Sequence, residues 1–198
     1  MRTQSDPGDG DLVRGLCAGD QDCFLQLYRR YQGVVFRFVL HLTGSPSAAE
    51  DITQEVFMEL IRNPGRYDSA RGPLRSFLLG VGRNHVLRMF ERGRAWSDLN
   101  EGRLEHSWAM ESGADPEGEA ERSDRIERVR QAVLTLPAAY REAVVLCDLN
   151  EMNYAEAAEA LGCAVGTVRS RLHRGRALLT QKLNRLRNCC SRSAAGER

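Results

Sequence analysis

Residues 153–176, Asn-Tyr-Ala-Glu-Ala-Ala-Glu-Ala-Leu-Gly-Cys-Ala-Val-Gly-Thr-Val-Arg-Ser-Arg-Leu-His-Arg-Gly-Arg, admit few folds. They read as two short helices joined by a glycine-containing turn, with a row of arginines along the second. Asn153 can cap the first helix, and Glu156 three residues later completes a capping-box pattern. Ala158 leaves room for close helix approach, Gly162 permits a left-handed turn, and Val168 fills the wedge between the helices. A helix-turn-helix of this kind lays the N-terminal part of its second helix in the DNA major groove. Thr167, Arg169, Ser170, His173 and Arg174 are the residues that would point there. The plainer reading is a helical hairpin with a solvated basic face.

Arginine is the side chain that donates two hydrogen bonds to guanine N7 and O6, and Ser, Thr or His can supplement it on neighbouring base edges. Arg171, Arg176 and Lys182 are placed toward phosphates, where they give affinity and salt dependence rather than sequence preference. Charge segregation supports a polyanionic partner. The net charge of the 198 residues is only +1. Yet residues 96–121 hold eight acids against Arg103, and residues 165–187 hold seven Lys/Arg and no acid.

The rest of the chain predicts an all-α protein, with two small helical domains joined by a flexible acidic linker. Residues 1–94 form the first domain, 95–122 the linker, 123–188 the helix-turn-helix domain and 189–198 a tail. Apolar residues recur at helical spacing over 21–43 (Phe24, Leu27, Tyr28, Tyr31, Val35, Phe38, Leu42). Gly44-Ser45-Pro46 stops that helix and starts the next, which runs to Arg62. A short helix over 11–17 precedes them. A loop over 63–68 and a helix from Leu74 to Arg92 follow. Helices at 123–135, 137–149, 154–161 and 165–186 are expected beyond the linker, and no β alternation is present.

Two further constellations lie in the first domain. Asp51, Glu55 and Glu59 recur every fourth residue with Gln54 beside them, which suits either a solvated acidic face or a docking face for a basic protein. Basic and aromatic residues mix over 66–94, with Arg66, Tyr67, Arg71, Arg75, Phe77, Arg83, Asn84, His85, Arg88 and Phe90 among them. Rings among guanidinium groups suit single-stranded nucleic acid, whose bases stack and whose phosphates pair. Phe77 and Phe90 also fit an ordinary core.

Enzymatic function is not expected. The chain has no nucleophile–base pair, paired-carboxylate site, glycine-rich phosphate loop or metal-ligand cluster, so no cofactor or metal is expected either. The six cysteines form no Cys-x-x-Cys pair. Cys147 and Cys163 read as small core residues, and the adjacent Cys189-Cys190 as a chemically incidental or oxidisable tail. No run approaches the length of a membrane span. Residues 1–15 lack a signal-peptide core, so a cytoplasmic location without membrane insertion is expected.

In the order Ala49-Glu50-Asp51-Ile52-Thr53-Gln54-Glu55-Val56-Phe57, Leu74-Arg75-Ser76-Phe77-Leu78 with Arg83-Asn84, Leu136-Pro137 with Tyr140-Arg141-Glu142-Ala143, and Val165-Gly166-Thr167-Val168-Arg169-Ser170-Arg171-Leu172, the chain resembles bacterial RNA polymerase sigma factors of the extracytoplasmic-function (ECF) type. The resemblance covers residues 11–94 and 123–186. It implies a transcription initiation factor acting in a stress or environmental response. Asp51, Gln54 and Glu55 would dock on core polymerase. Arg66, Arg71, Arg75, Phe77, Arg83, Asn84 and Arg88 would melt the −10 element and hold its non-template strand. Arg169, Ser170, His173 and Arg174 would read the −35 duplex, with Thr167 and Arg171 binding it beside them. An anti-sigma factor is the further partner it implies. A freestanding helix-turn-helix regulator bound to an operator is the competing reading. Four positions depart from the family's habit: Phe77 stands where Trp is frequent, Gly80 and Gly82 where Ala or Ile is usual, and His173 where some relatives carry an aromatic residue.

Overall fold

The computed structural model describes residues 7–99 and 118–193, with side chains described over 7–93 and 126–185. All regular structure among them is helical: α1 (Asp9–Cys17), α2 (Gln21–Thr43), α3 (Pro46–Arg62), α4 (Leu74–Leu99), α5 (Gly118–Leu134), α6 (Ala138–Val144), α7 (Tyr154–Leu161) and α8 (Val165–Ser193). Local chemistry sets several of these ends. The Asp20 carboxylate accepts from the backbone N–H of Asp22 (2.8 Å) and Cys23 (3.3 Å) and starts α2. Ser45 Oγ accepts from Ala48 N–H and Pro46 takes the first turn of α3. The 63–68 loop contains a single 3-10 turn, Pro64–Arg66. The expected 137–149 helix divides at Val145, where a π-helical turn over Val145–Leu149 follows α6.

Two boundaries differ more. α4 continues to Leu99 and α5 begins at Gly118, so helix enters the expected linker from both sides. Glu91, Arg92, Arg94 and Ala95 are good helix formers, which carries α4 through Gly93 at a cost of about 1 kcal/mol. The middle of the expected linker and most of the tail lie outside the described residues, as do the side chains of Cys189 and Cys190.

In the first domain, Leu27, Val35 and Phe38 of α2 meet Val56, Phe57 and Leu60 of α3 and Leu74 and Leu78 of α4, all almost fully buried. The Phe57 ring adds an edge contact to Tyr28 at 4.9 Å. α1 is tied on by Asp9, which pairs with Arg30 at 2.7 Å and accepts from the Tyr31 hydroxyl at 2.5 Å. Burial, reinforced by that carboxylate, pushes the Tyr31 phenol well above its usual range.

The same apolar cluster runs on without a break through Val145, Leu146, Met152, Ala157, Leu161 and Val168 of the second domain. A smaller cluster of Leu136, Ala143, Val144 and Leu172 lies behind it, between α6 and α8. Arg141 crosses the same boundary, donating to the Leu42 carbonyl at the end of α2 (2.6 Å) and to the Leu136 carbonyl (3.0 Å).

Candidate nucleic-acid interface

The helix-turn-helix is built as its sequence suggests. Asn153 Oδ1 accepts from Ala155 and Glu156 N–H, both at 2.9 Å, and Glu156 Oε2 accepts from Asn153 N–H at 3.2 Å. Gly162 takes the left-handed conformation (φ 62°) that turns α7 into α8, and Val168 is fully buried beneath the pair. With that wedge inside, Arg169, Ser170, His173 and Arg174 are all exposed on the outer face of α8, and Thr167 and Arg171 are half-buried at its edges. The Arg169 guanidinium lies over the Tyr154 ring, 5.8 Å from its centroid. Arg176 is engaged differently: its guanidinium grips the Asp148 carboxylate at 2.5 and 3.1 Å, which ties α8 to the end of the π-helical turn. That pairing holds the Arg176 charge more firmly than usual.

On α3, Asp51, Gln54 and Glu55 are exposed. Glu59 is not part of that face. Its carboxylate binds Arg66 of the 3-10 turn and His85 Nε2 (3.2 Å), and so links α3 to α4. The exposed stripe continues instead through Met58 and Ile61, each about two-fifths accessible. Ile61 stands two helical turns from Gln54, which brings both apolar residues alongside the acidic patch.

The basic-aromatic set of the first domain divides in two. Arg71, Asn84 and Arg88 are exposed, and Arg66 keeps its exposure while pairing with Glu59. Phe77 is half-buried, its ring 5.8 Å from that of Tyr67. Arg75 and Arg83 turn toward the second domain. Arg75 donates to the Asn150 carbonyl, and Arg83 Nε donates to Glu142 Oε1 at 2.8 Å, with both side chains of the latter pair shielded. Between these groups lies an open polar pocket of about 340 Å³, lined by Arg66, Arg71, Phe77, Arg83 and Asn84 and, from α7, by Glu159.

Comparison with known proteins fits this division. The family model of Sigma-70 region 2 matches residues 27–96, and that of Sigma-70 region 4 matches residues 126–179. The ECF RNA polymerase sigma factor SigM of Mycobacterium tuberculosis is 31% identical over 183 residues, covering 90% of this chain and 86% of its own. The chain belongs to the ECF RNA polymerase sigma factors. SigW of Bacillus subtilis is 29% identical over 88% of this chain and 96% of its own length. SigE of Mycolicibacterium smegmatis is 35% identical over 80% of this chain, which spans 60% of that protein. Among solved structures, the Bartonella quintana sigma factor RpoE in complex with the anti-sigma factor NepR superposes with a TM-score of 0.67 at 25% identity, covering 81% of this chain and 96% of that one. CnrH in complex with the cytosolic domain of CnrY gives 0.64 at 26% identity, covering 89% and 97%.

In this sigma factor, region 2 therefore holds most of α2, α3 and most of α4, and region 4 holds the second half of α5 together with α6, α7 and the first half of α8. Among the described residues no group of His, Cys, Asp and Glu is placed to hold a metal ion, and no helix is long and apolar enough to cross a membrane. Cys147 and Cys163 are half-buried against the core, and burial pushes the Cys147 thiol up.

Proposed function

We propose that this sigma factor brings core polymerase to its promoters through three separate faces. Asp51, Gln54 and Glu55, with Met58 and Ile61 beside them, form the face offered to core enzyme. Arg169, Ser170, His173 and Arg174, flanked by Thr167 and Arg171, read the −35 duplex. Arg66, Arg71, Arg75, Phe77, Arg83, Asn84 and Arg88 hold the melted −10 strand, where contacts to an extruded base offset the few kcal/mol of unstacking. The observation that carries this reading is the segregation of the three faces. An acidic-apolar stripe lies on α3, a basic-aromatic patch on α4, and four exposed reading side chains on the outer face of α8.

The chain performs no covalent step itself; core enzyme supplies catalysis. Its place of action is the cytoplasm, where polymerase and promoter meet. An anti-sigma factor is the expected regulator, as the complexes of RpoE with NepR and of CnrH with CnrY suggest by analogy. The acidic α3 face and the separate basic-aromatic patch of the first domain together weigh against a freestanding operator-binding regulator.

Co-purification with core polymerase and run-off transcription from a double-stranded promoter test the reading. The double variant Asp51→Lys/Glu55→Lys should lose polymerase association with both domains folded, because two charge reversals on an exposed stripe replace attraction by repulsion. Retained association would remove the docking face.

A further inference from the structure

Among the described basic residues of α8, Arg176 alone is held by a carboxylate of the chain. Asp148, near the end of the π-helical turn, takes it in a two-pronged pair, Nη2 donating to Oδ1 at 2.5 Å and Nε to Oδ2 at 3.1 Å. The sequence places Arg176 toward the DNA backbone, with Arg171 and Lys182. In the fold, the guanidinium fork that would meet a phosphate already grips an anion. Carboxylate and phosphate offer arginine the same pair of acceptor oxygens, so one excludes the other.

Arg176 stands beside the reading residues. It follows Arg169 by close to two full turns, which returns it to the same side of α8. Tyr154, whose ring lies under Arg169, also interacts electrostatically with Arg176. The pair with Asp148 contributes little to holding α8 in place. The two side chains are 55% and 28% accessible, and ion pairs this open to water add little stability. Anchoring comes from Val168 and Leu172, both almost fully buried, and from Gly175. A Cβ at position 175 would lie 2.8 Å from Val144 Cγ2 and 3.2 Å from the Tyr140 carbonyl oxygen, so its absence lets α8 close onto α6.

We propose that Asp148 withholds Arg176 from DNA phosphates, and thereby sets how strongly region 4 holds duplex DNA of any sequence. This rests on the duplex-binding role assigned above to α8. Arg169, Ser170, His173 and Arg174 have no carboxylate beside them, so Asp148 acts on the sequence-independent part of binding alone. With one phosphate contact withheld, base contacts supply a larger share of the affinity, and fewer chains are retained on unrelated DNA.

The test uses the full chain and a labelled random-sequence duplex, with binding read by fluorescence anisotropy between about 50 and 200 mM salt. Asp148→Ala should bind more tightly and steepen the dependence of log K on log salt by about 0.9, the value of one phosphate contact. Its advantage over the parent should therefore shrink about 3.5-fold across that range. Adding Arg176→Ala to Asp148→Ala should return the slope to that of the parent. Lys182→Ala, which removes a cation with no carboxylate beside it, should flatten the slope by the same amount. The thermal midpoint of Asp148→Ala should stay with the parent's.

A gain that persists in the double variant overturns the proposal, because loss of one negative charge then accounts for it without Arg176. If Asp148→Ala leaves the slope unchanged while Lys182→Ala flattens it, the withheld contact is refuted and α8 remains a duplex-binding helix. If neither variant moves the slope, the duplex face of α8 falls and the proposal with it. Weaker binding with a lowered thermal midpoint makes the pair an anchor of α8, which equally overturns it.

Discussion

α4 and α8 are both arginine-bearing helices, and they hold their cations in opposite ways. On α8, Val168 and Leu172 point into the core and so force Arg169, Ser170, His173 and Arg174 outward into solvent. On α4, Arg75 and Arg83 lie at the seam with the second domain and each already donates to a protein acceptor there, although Arg75 Nε is buried without one. A half-buried guanidinium can be displaced from one acceptor only if another replaces it, since an unpaired charge there costs several kcal/mol. The reading set proposed on α8 is therefore exposed as it stands. The α4 set is conditional on a change of partner.

The largest expected effect breaks the α8 side of that comparison. Leu172 is 1% accessible and anchors a cluster with only three other fully buried members, Leu136, Ala143 and Val144. Leu172→Ala should cost about 2–5 kcal/mol, because so small a cluster has little to collapse into the cavity. Thermal unfolding followed with duplex binding should then lose the second domain's contribution while α2–α4 stay helical. A loss of stability below about 1 kcal/mol would place the stabilisation of this domain in the larger shared core instead.

The next effect sharpens the contrast between reading and anchoring. Arg174→Ala should weaken binding to a cognate −35 element by about 1–3 kcal/mol and relax preference at one base pair. Lys182→Ala should weaken all sequences alike and reduce the salt slope by about one. Binding titrations on cognate and scrambled duplexes at several salt concentrations distinguish the two. Equal losses on both duplexes for Arg174→Ala would move that arginine to the phosphate class.

A smaller change concerns how Arg169 is held. Its guanidinium lies 5.8 Å from the centroid of the Tyr154 ring, at an exposed site. Such a contact is worth about 0.5–1 kcal/mol. Tyr154→Ala should cost that much on the cognate duplex and blur the base preference read by Arg169, and Tyr154→Phe should restore both. If Tyr154→Phe behaves as Tyr154→Ala, the hydroxyl rather than the ring is what matters.

Where the sequence was most readable, a local device sets each boundary. Asp20, Ser45 and Asn153 cap α2, α3 and α7 through their own side chains, and those helices begin where spacing and capping residues place them. At the C-terminal end of α4, good helix formers continue past the last apolar repeat. Glu59 illustrates a second limit. At 3.6 residues per turn each four-residue step rotates about 40°, so Glu59 lies about 80° around from Asp51 and meets Arg66 and His85 rather than solvent. The pairing of Arg83 with Glu142 joins residues 59 positions apart, and no periodicity encodes it. Arg83 was recognisable as a candidate strand-binding residue. That it has a resident acceptor was not.

The smallest expected effect tests the seam from the first domain's side. His41 lies near the end of α2, and burial, with Arg130 and Arg37 nearby, holds its imidazole below the ordinary 6.5. Its Nδ1 is buried without a hydrogen-bond partner. The folded chain thus keeps His41 neutral where the unfolded chain takes up a proton, so the unfolded state binds more protons as pH falls below 6.5. Stability should be constant above that value and decline below it, down to the depressed folded value. A midpoint of thermal unfolding recorded from pH 7.5 to 5 reads the decline, and His41→Gln should flatten it. Because α2 also receives Arg141 from the second domain at Leu42, the same acid range should expand the particle in scattering before it unfolds region 2. A decline that persists unchanged in His41→Gln would assign the acid sensitivity to other groups and leave the seam indifferent to pH.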